Sequence, residues 1–141
     1  MHILKATIDI DAPIAQVWQH LTDFANYPAW NPYILTATGE LKRGAMITFT
    51  VAGGLPLPLN APITVLIPDR ELTWEARVPI PGFQPRYIRR LEALSDERTR
   101  FINREEFEGY TAGIAKPVLH AMLAPYFPQT CQALKDYVEG Q

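Results

Sequence analysis

Apolar and polar residues alternate in short runs along most of the chain, and the spacing becomes helical near both ends. The first run, Leu4 to Ile10, has the two-residue period of a strand with one buried face. Apolar residues from Ile14 to Leu21 then recur at helical spacing behind Pro13, which suits a first helical turn. A second short helix is predicted in the aromatic segment Asp23 to Tyr33. The chain therefore begins with one strand and two short helices.

Six more strands are predicted from Ile34 onward, because apolar alternation is interrupted only by turn signals rich in glycine, proline or charge. Consecutive strands without intervening helices favour an antiparallel meander over a parallel sheet. The predicted strands are Ile34 to Leu41, Met46 to Ala52, Ile63 to Ile67, Leu72 to Val78, Arg86 to Leu94 and Thr99 to Glu108.

A long apolar helix is predicted from roughly Ala112 to Val138. Each large apolar side chain contributes about 1.5–3 kcal/mol when fully buried, so we expect a sheet to cover its apolar stripe. Pro125 and Pro128 each lack an N–H and crowd the carbonyl four residues earlier, and we expect a kink or break there. The stripe consists of Leu119, Leu123, Phe127, Leu134 and Val138, flanked by Val118, Met122 and Tyr126.

This order of elements predicts an α+β fold in which a curved antiparallel sheet of about seven strands wraps round the long helix. A curled sheet closes imperfectly and can enclose space for a ligand, so we expect a cavity. With 141 residues and no Ser/Gly-rich or charge-rich linker, residues 1–141 are predicted to form one domain.

The amino-acid composition argues against several classes of function. The chain has 13 basic and 15 acidic residues without a basic cluster, which argues against a nucleic-acid partner. Cys131 is the only cysteine, and the three dispersed histidines (His2, His20 and His120) lack the spacing of a metal site, so neither a metal nor another cofactor is expected. No apolar run is long enough to span a bilayer. We expect a soluble cytoplasmic protein, monomeric or homodimeric.

Three sequence motifs carry a resemblance to a known superfamily. They are Ile10-Asp11-Ala12-Pro13 followed by Val17-Trp18, then Asp23-x-x-x-Tyr27-Pro28-x-Trp30-Asn31-Pro32, and finally Phe101-x-Asn103-x-Glu105-x-Phe107-x-Gly109. On these the chain resembles the START-like or SRPBCC superfamily, and within it the bacterial members labelled polyketide cyclase/dehydrase and lipid transport. The resemblance implies a helix-grip fold with a hydrophobic pocket, which different relatives use for lipid carriage, ring closure, hydroxylase substrate binding or partner recognition. Such a widely shared fold leaves function to be argued from the site.

The last predicted strand offers the clearest candidate site. The face that carries Phe101 and Phe107 must also carry Asn103 and Glu105, since side chains alternate along a strand. Two polar groups therefore fall within an apolar row. A buried carboxylate left alone would have a raised pKa, whereas a neighbouring cation would hold it ionised.

Pairing with the preceding strand predicts that cation. If Leu91 lies opposite Phe101, then Arg89 falls opposite Asn103 and Tyr87 opposite Glu105, all on the same face. A shift by one residue would instead bury Arg90 and Glu92, which desolvation disfavours. Arg89 is then the natural partner of Glu105, either in a structural ion pair or as part of a ligand contact, and the sequence favours neither.

The candidate site has one possible catalytic residue, Glu105. Two apolar loops, Gly53 to Pro62 and Pro79 to Pro85, either gate the cavity with hinges near Gly53, Gly54 and Gly82 or fold back on the core. Asn31 is predicted to bond the backbone at a corner. The candidate ligand-binding residues are Phe49, Trp74, Tyr87, Arg89, Phe101, Asn103, Glu105, Phe107 and Met122.

Three functions remain open from the sequence. The leading hypothesis is binding of a hydrophobic small molecule such as a lipid, polyketide or aromatic metabolite. The first alternative is a cyclase or dehydratase in which Glu105 transfers a proton and Arg89 or Tyr87 stabilises an enolate. The second alternative is a protein-interaction module of the kind that activates the heat-shock chaperone ATPase.

Overall fold

The chain forms seven antiparallel strands and a set of helices, as the computed structural model describes them for residues 1–53 and 57–141. Their order confirms the predicted α+β arrangement, with two short helices between the first and second strands. The strands are β1 (His2–Ile10), β2 (Ile34–Thr38), β3 (Met46–Val51), β4 (Leu59–Ile67), β5 (Glu71–Glu75), β6 (Gln84–Ser95) and β7 (Arg98–Glu108). The helices are α1 (Ile14–Thr22), α2 (Tyr27–Trp30), α3 (Tyr110–Ile114), α4 (Lys116–Leu123) and α5 (Tyr126–Glu139), with a 3₁₀ turn at Phe24–Asn26.

The strand order across the sheet is β1-β7-β6-β5-β4-β3-β2. Strands β2 to β7 are joined to their sequence neighbours as a meander, and β7 then pairs with β1. Since β1 and β2 lie at opposite edges, α1 and α2 carry the chain from one edge to the other. The sheet curls into a half-barrel, and its concave face receives the C-terminal helices.

The C-terminal helical segment is broken where proline predicted it. Helix α4 ends at Leu123 and α5 begins at Tyr126, with Pro125 between them. Pro128 causes no second break, because it lies in the first turn of α5, where backbone N–H groups have no intrahelical partner. An interruption at Ala115 separates α3 from α4, and Pro117, which suits a first helical turn, lies in the first turn of α4. No helix within residues 1–53 and 57–141 has the length and apolar character needed to cross a bilayer.

Several strand ends differ from the prediction. β2 stops at Thr38 and β5 at Glu75, so each is shorter than predicted. β4 begins at Leu59, inside a segment whose prolines predicted a loop. The reason is that this segment pairs with β3, with Asn60 opposite Thr48. Backbone hydrogen bonds between the two strands therefore outweigh the local turn signals.

Part of the concave face is filled by helix side chains. Cys131, Leu134 and Val138 of α5 are buried in one cluster with Phe101 and Leu91, as predicted for Leu134. We call this region, together with Ile10, the packed end. Leu123 and Phe127, also predicted to be buried, belong to a separate cluster farther along the sheet.

Candidate functional site

The pairing of β6 with β7 has the predicted register, so the polar residues of the candidate site do share the concave face. Asn103 is fully buried and Glu105 is 7% exposed. The prediction from side-chain alternation is therefore confirmed for both residues, because Phe101 and Phe107 on the same strand face the core. The opposing pairs are Leu91 with Phe101, Arg89 with Asn103, and Tyr87 with Glu105.

A cavity of about 290 Å³ lies between the concave face and α4, at what we call the cavity end. Its volume is at the lower end of the range for small-molecule pockets, and its wall is almost entirely apolar. Glu105 provides the only carboxylate among the described lining residues. The lining consists of Tyr33, Ile34, Phe49, Val51, Gly53, Leu59, Trp74, Ala76, Val78, Ile80, Phe83, Pro85, Tyr87, Glu105, Phe107, Leu119, Met122 and Leu123.

Six of the nine candidate ligand-binding residues line this cavity, and three do not. Phe101 packs with Cys131 and Leu134 of α5 in the packed end and does not line the cavity. Asn103 donates its amide N–H to the backbone oxygen of Phe127, at 3.4 Å, so α5 covers it. Arg89 lies beside the rings of Trp74 and Tyr87 and is absent from the wall. Helical cover of Asn103 and aromatic stacking of Arg89 thus keep both predicted ligand-binding residues off the described cavity wall.

Glu105 is held by a residue from the other side of the fold. The hydroxyl of Tyr33 donates to Oε1 of Glu105 at 2.6 Å. Burial raises the pKa of Glu105 to about 7, although the Tyr33 hydrogen bond and the charge of Arg89 both act to lower it. Burial and the adjacent carboxyl raise the pKa of Tyr33 well above its ordinary value, so Tyr33 stays the donor. The cavity wall thus carries one carboxyl that changes protonation near neutral pH.

The predicted ion pair between Arg89 and Glu105 does not form. The guanidinium carbon of Arg89 lies 3.9 Å from the centre of the Trp74 ring and 4.1 Å from that of Tyr87, which is cation–π geometry. Within the described residues, Nε, Nη1 and Nη2 of Arg89 have no hydrogen-bond partner. Arg89 acts on Glu105 only through its charge, which lowers the pKa of that carboxyl.

A second hydrogen-bond chain runs beside the cavity. The Tyr87 hydroxyl donates to Oδ1 of Asn103 at 2.6 Å, and the amide of Asn103 in turn reaches the backbone of Phe127. Burial raises the pKa of Tyr87, which keeps its hydroxyl protonated. This chain links β6 and β7 to the first turn of α5, so we assign Asn103 a structural role.

Tyr33 is a cavity residue that the sequence did not predict. Asn31 accepts the backbone N–H groups of Tyr33 and Ile34 on Oδ1, at 3.0 and 2.9 Å, which confirms the predicted corner. This corner fixes the backbone that aims Tyr33 at Glu105. The only signal was the density of aromatic residues in this segment, and nothing in it indicated a partner 72 residues away.

Described residues of both predicted gate loops line the cavity. Phe83 folds back and stacks on Phe107, with ring centres 5.7 Å apart, and both rings line the wall. Leu57 is instead 57% exposed. Of the predicted hinges, Gly53 and Gly82 have left-handed backbone with φ of 68° and 69°. Gly54, Leu55 and Pro56 lie outside the described residues, and gate movement stays a prediction.

The curved sheet that grips C-terminal helices over an apolar cavity defines a START-like, helix-grip protein. A family model described as polyketide cyclase / dehydrase and lipid transport matches residues 1–139, and the chain belongs to that family. This confirms the resemblance carried by the three sequence motifs. No curated protein is significantly similar in sequence.

Solved structures share the fold at low sequence identity. An aromatase/cyclase named Zhui from a Streptomyces species is 17% identical with a TM-score of 0.80, covering 98% of this chain and 93% of its own. A START superfamily protein from Mycobacterium smegmatis is 16% identical with a TM-score of 0.79, covering 99% of each chain. Truncated norcoclaurine synthase from Thalictrum flavum is 8% identical with a TM-score of 0.74, covering 99% of this chain and 94% of its own. At such identities the similarity concerns the fold.

Proposed function

We propose that the protein binds an apolar small molecule that carries one polar group. The apolar part lies against the aromatic and aliphatic wall, and the polar group reaches the carboxyl of Glu105. The observation that supports this is a cavity of about 290 Å³ with a single carboxylate among its described lining residues. A few placed polar groups in an apolar wall are typical of sites that orient a ligand.

The family description supports this proposal. The family is described as polyketide cyclase / dehydrase and lipid transport, and lipids are apolar molecules. The raised pKa of Glu105 also suits a neutral polar group, because the carboxyl can donate a hydrogen bond below neutral pH and accept one above it.

Native mass spectrometry of the protein before and after organic extraction tests for a copurifying ligand. Calorimetric titration of the extracted protein with decanol, an apolar chain with one hydroxyl, then tests the cavity itself. Ala76 lines the cavity and is small, so Ala76→Phe should fill the space and abolish decanol binding. Ala15→Phe, on the exposed face of α1, is the matched control and should bind like the wild type. Equal affinity in the wild type and Ala76→Phe would contradict binding in this cavity.

Glu105→Gln tests how the ligand is oriented. If the carboxyl holds the hydroxyl of decanol, this change should weaken binding by about 1–3 kcal/mol, the cost of a lost buried partner. A purely structural Glu105 would alter stability and leave the decanol affinity unchanged.

The pKa of Glu105 favours one second candidate function, the dehydration of a bound β-hydroxy ketone by proton transfer. In a dehydratase reaction the Glu105 carboxylate would take a proton from the carbon beside a carbonyl and return it to a β-hydroxyl, which leaves as water. The groups expected to stabilise the enolate are not available, since Arg89 lies outside the wall and the Tyr87 hydroxyl is donated to Asn103. We therefore place binding first.

An apolar β-hydroxy ketone provides the test of turnover. Its dehydration to the conjugated enone is followed by ultraviolet absorbance. Enone formation by the wild type that is lost in Glu105→Gln would establish the enzymatic function, and no formation above the rate in buffer would rule out this reaction.

A further inference from the structure

Arg89 carries a permanent charge in the interior of the protein. It is 2% exposed, and within residues 1–53 and 57–141 none of its three side-chain nitrogens has a hydrogen-bond partner. A guanidinium does not lose its proton in a protein, so burial cannot remove this charge. A buried charge without a partner is strongly unfavourable, and Arg89 therefore marks a region of the interior in which an anion is stabilised.

The charge of Arg89 acts on the wall of the cavity. Trp74 and Tyr87, whose ring centres lie 3.9 and 4.1 Å from the guanidinium carbon, both line the cavity. The charge also acts to lower the pKa of Tyr33, Tyr87 and Glu105, all of which belong to the wall. A cation stabilises any anion placed near it, so an anionic oxygen bound beside Glu105 would be stabilised in the same way.

Glu105 balances the charge of Arg89 only in part near neutral pH. Burial raises the pKa of Glu105 to about 7, so at neutral pH about half of the molecules hold a neutral carboxyl there. Burial keeps Tyr33 of β2 and Tyr87 of β6 protonated. β1 places the apolar Leu4 opposite Glu105, and neither α4 nor α5 adds a charged residue to the described wall. Whenever Glu105 is protonated, the positive charge at this wall is therefore uncompensated by the described residues.

We propose that the ligand of the cavity is an amphiphilic acid, bound as its anion, which accepts a hydrogen bond from protonated Glu105 and is stabilised by the charge of Arg89. The proposal rests on the proposed function and names the chemical class of its ligand. A hydrogen bond between a carboxyl and a carboxylate is charge-assisted, and such bonds are roughly twice as strong as neutral ones. An alcohol would leave Arg89 without a counter-charge, and an amine would add a second cation beside it.

Calorimetric titration of the extracted protein with decanoate, decanol and decylamine tests the charge of the ligand. The three probes share one alkyl chain and differ only in the polar group. At about pH 6 decanoate is ionised and Glu105 is mostly protonated. Decanoate should then bind at least about tenfold more tightly than decanol, and decylamine more weakly than either.

Arg89→Met tests the origin of this preference. The substitution removes the charge and keeps an unbranched side chain, so decanoate and decanol should bind with similar affinity. Arg90→Met is the matched control, because it removes the exposed arginine next along β6, which donates to Glu71 at 2.8 Å on the surface. It should keep the wild-type preference for decanoate.

The pH dependence of the wild type tests the proposal without any change at Arg89. Above its pKa, Glu105 must take up a proton before it can donate to the anion. The affinity for decanoate should therefore fall by up to about tenfold per pH unit above about pH 7, whereas that for decanol should change much less. Titrations at about pH 8 in buffers of different ionisation enthalpy should show an uptake of about one proton per decanoate. Glu105→Gln keeps a donor that does not titrate, and its affinity for decanoate should not vary over this range.

The outcomes separate the ligand class from the proposed function. Decanol binding with decanoate no tighter at about pH 6 would overturn the acid and leave the proposed function standing. A preference for decanoate that persists in Arg89→Met would overturn the part assigned to Arg89. Binding of neither probe by the wild type, or binding of both that Ala76→Phe leaves unchanged, would contradict the proposed function itself and the ligand class with it.

Discussion

The two ends of the concave face are built from the same strands, yet one is filled and the other is hollow. β7 contributes Phe101 to the packed end and Phe107 to the cavity wall, only six residues apart in sequence. The difference lies in the cover. α5 buries five of its 14 residues, whereas α4 buries only Leu123 of its eight. The continuous helix α5 covers the sheet at the packed end. The break at Pro125 ends this cover before the cavity end.

The polar groups follow the same division. Asn103 lies under the first turn of α5 and is bonded to its backbone, so it is part of the packing. Glu105, two residues farther along β7, lies beyond that cover and meets Tyr33 at the cavity wall. Neighbouring positions on one strand face are therefore either covered by a helix or open to the cavity, according to the helix above them.

The largest effect should come from the packed end. Leu134 is fully buried among Phe101, Cys131 and Val138, so Leu134→Ala should lower the free energy of unfolding by about 2–5 kcal/mol. Urea denaturation measures this loss. Decanol binding should persist, because the residue is remote from the cavity wall. A midpoint equal to that of the wild type would remove α5 from the core.

The cavity end should instead respond to pH. Burial raises the pKa of Glu105 from its ordinary 4.5 to about 7, so between these values the folded protein holds a proton that the unfolded chain has released. The free energy of unfolding should therefore fall as pH rises through this window, by about 3 kcal/mol in total, and level off above it. Urea denaturation across the window, compared with Glu105→Gln, isolates this contribution.

Parallel pH profiles for the wild type and Glu105→Gln would contradict the raised pKa of Glu105. The same comparison cancels any pH effect that the two proteins share.

A matched truncation at the cavity end should cost less than Leu134→Ala. Leu123 already faces empty space on one side, so Leu123→Ala removes fewer contacts and should lower the free energy of unfolding by about 2 kcal/mol, the lower limit for such changes. Urea denaturation of the two variants in parallel tests the difference. Equal losses would mean that the cavity end is as tightly packed as the other.

The smallest effect is expected from Tyr33→Phe, which removes the hydrogen bond to Glu105 and should cost about 1 kcal/mol at neutral pH. Since that bond favours the carboxylate, its loss should raise the pKa of Glu105 further. The pH at which stability levels off should then move upward. Tyr110→Phe, at an exposed position, is the control and should leave the profile unchanged.

Features that depend on short-range regularity could be predicted from the order of the residues. Strand alternation placed Asn103 and Glu105 on the inner face, and the cost of burying Arg90 and Glu92 selected the register of β6 on β7. The covalent geometry of Pro125 fixed the break between α4 and α5. Each of these follows from a residue and its immediate neighbours in the chain or across one strand pair.

Which of these inward residues line the cavity depends on packing between distant segments, and local patterns could not predict it. Arg89 shares a face with Glu105 but stacks on aromatic rings instead of pairing with it, since packing of Trp74 and Tyr87 sets where the guanidinium lies. Tyr33 reaches Glu105 because α1 and α2 carry the chain across the sheet before β2 begins. Such contacts join segments far apart in sequence, and the side chains that fill the space between them have no periodic signature in the chain.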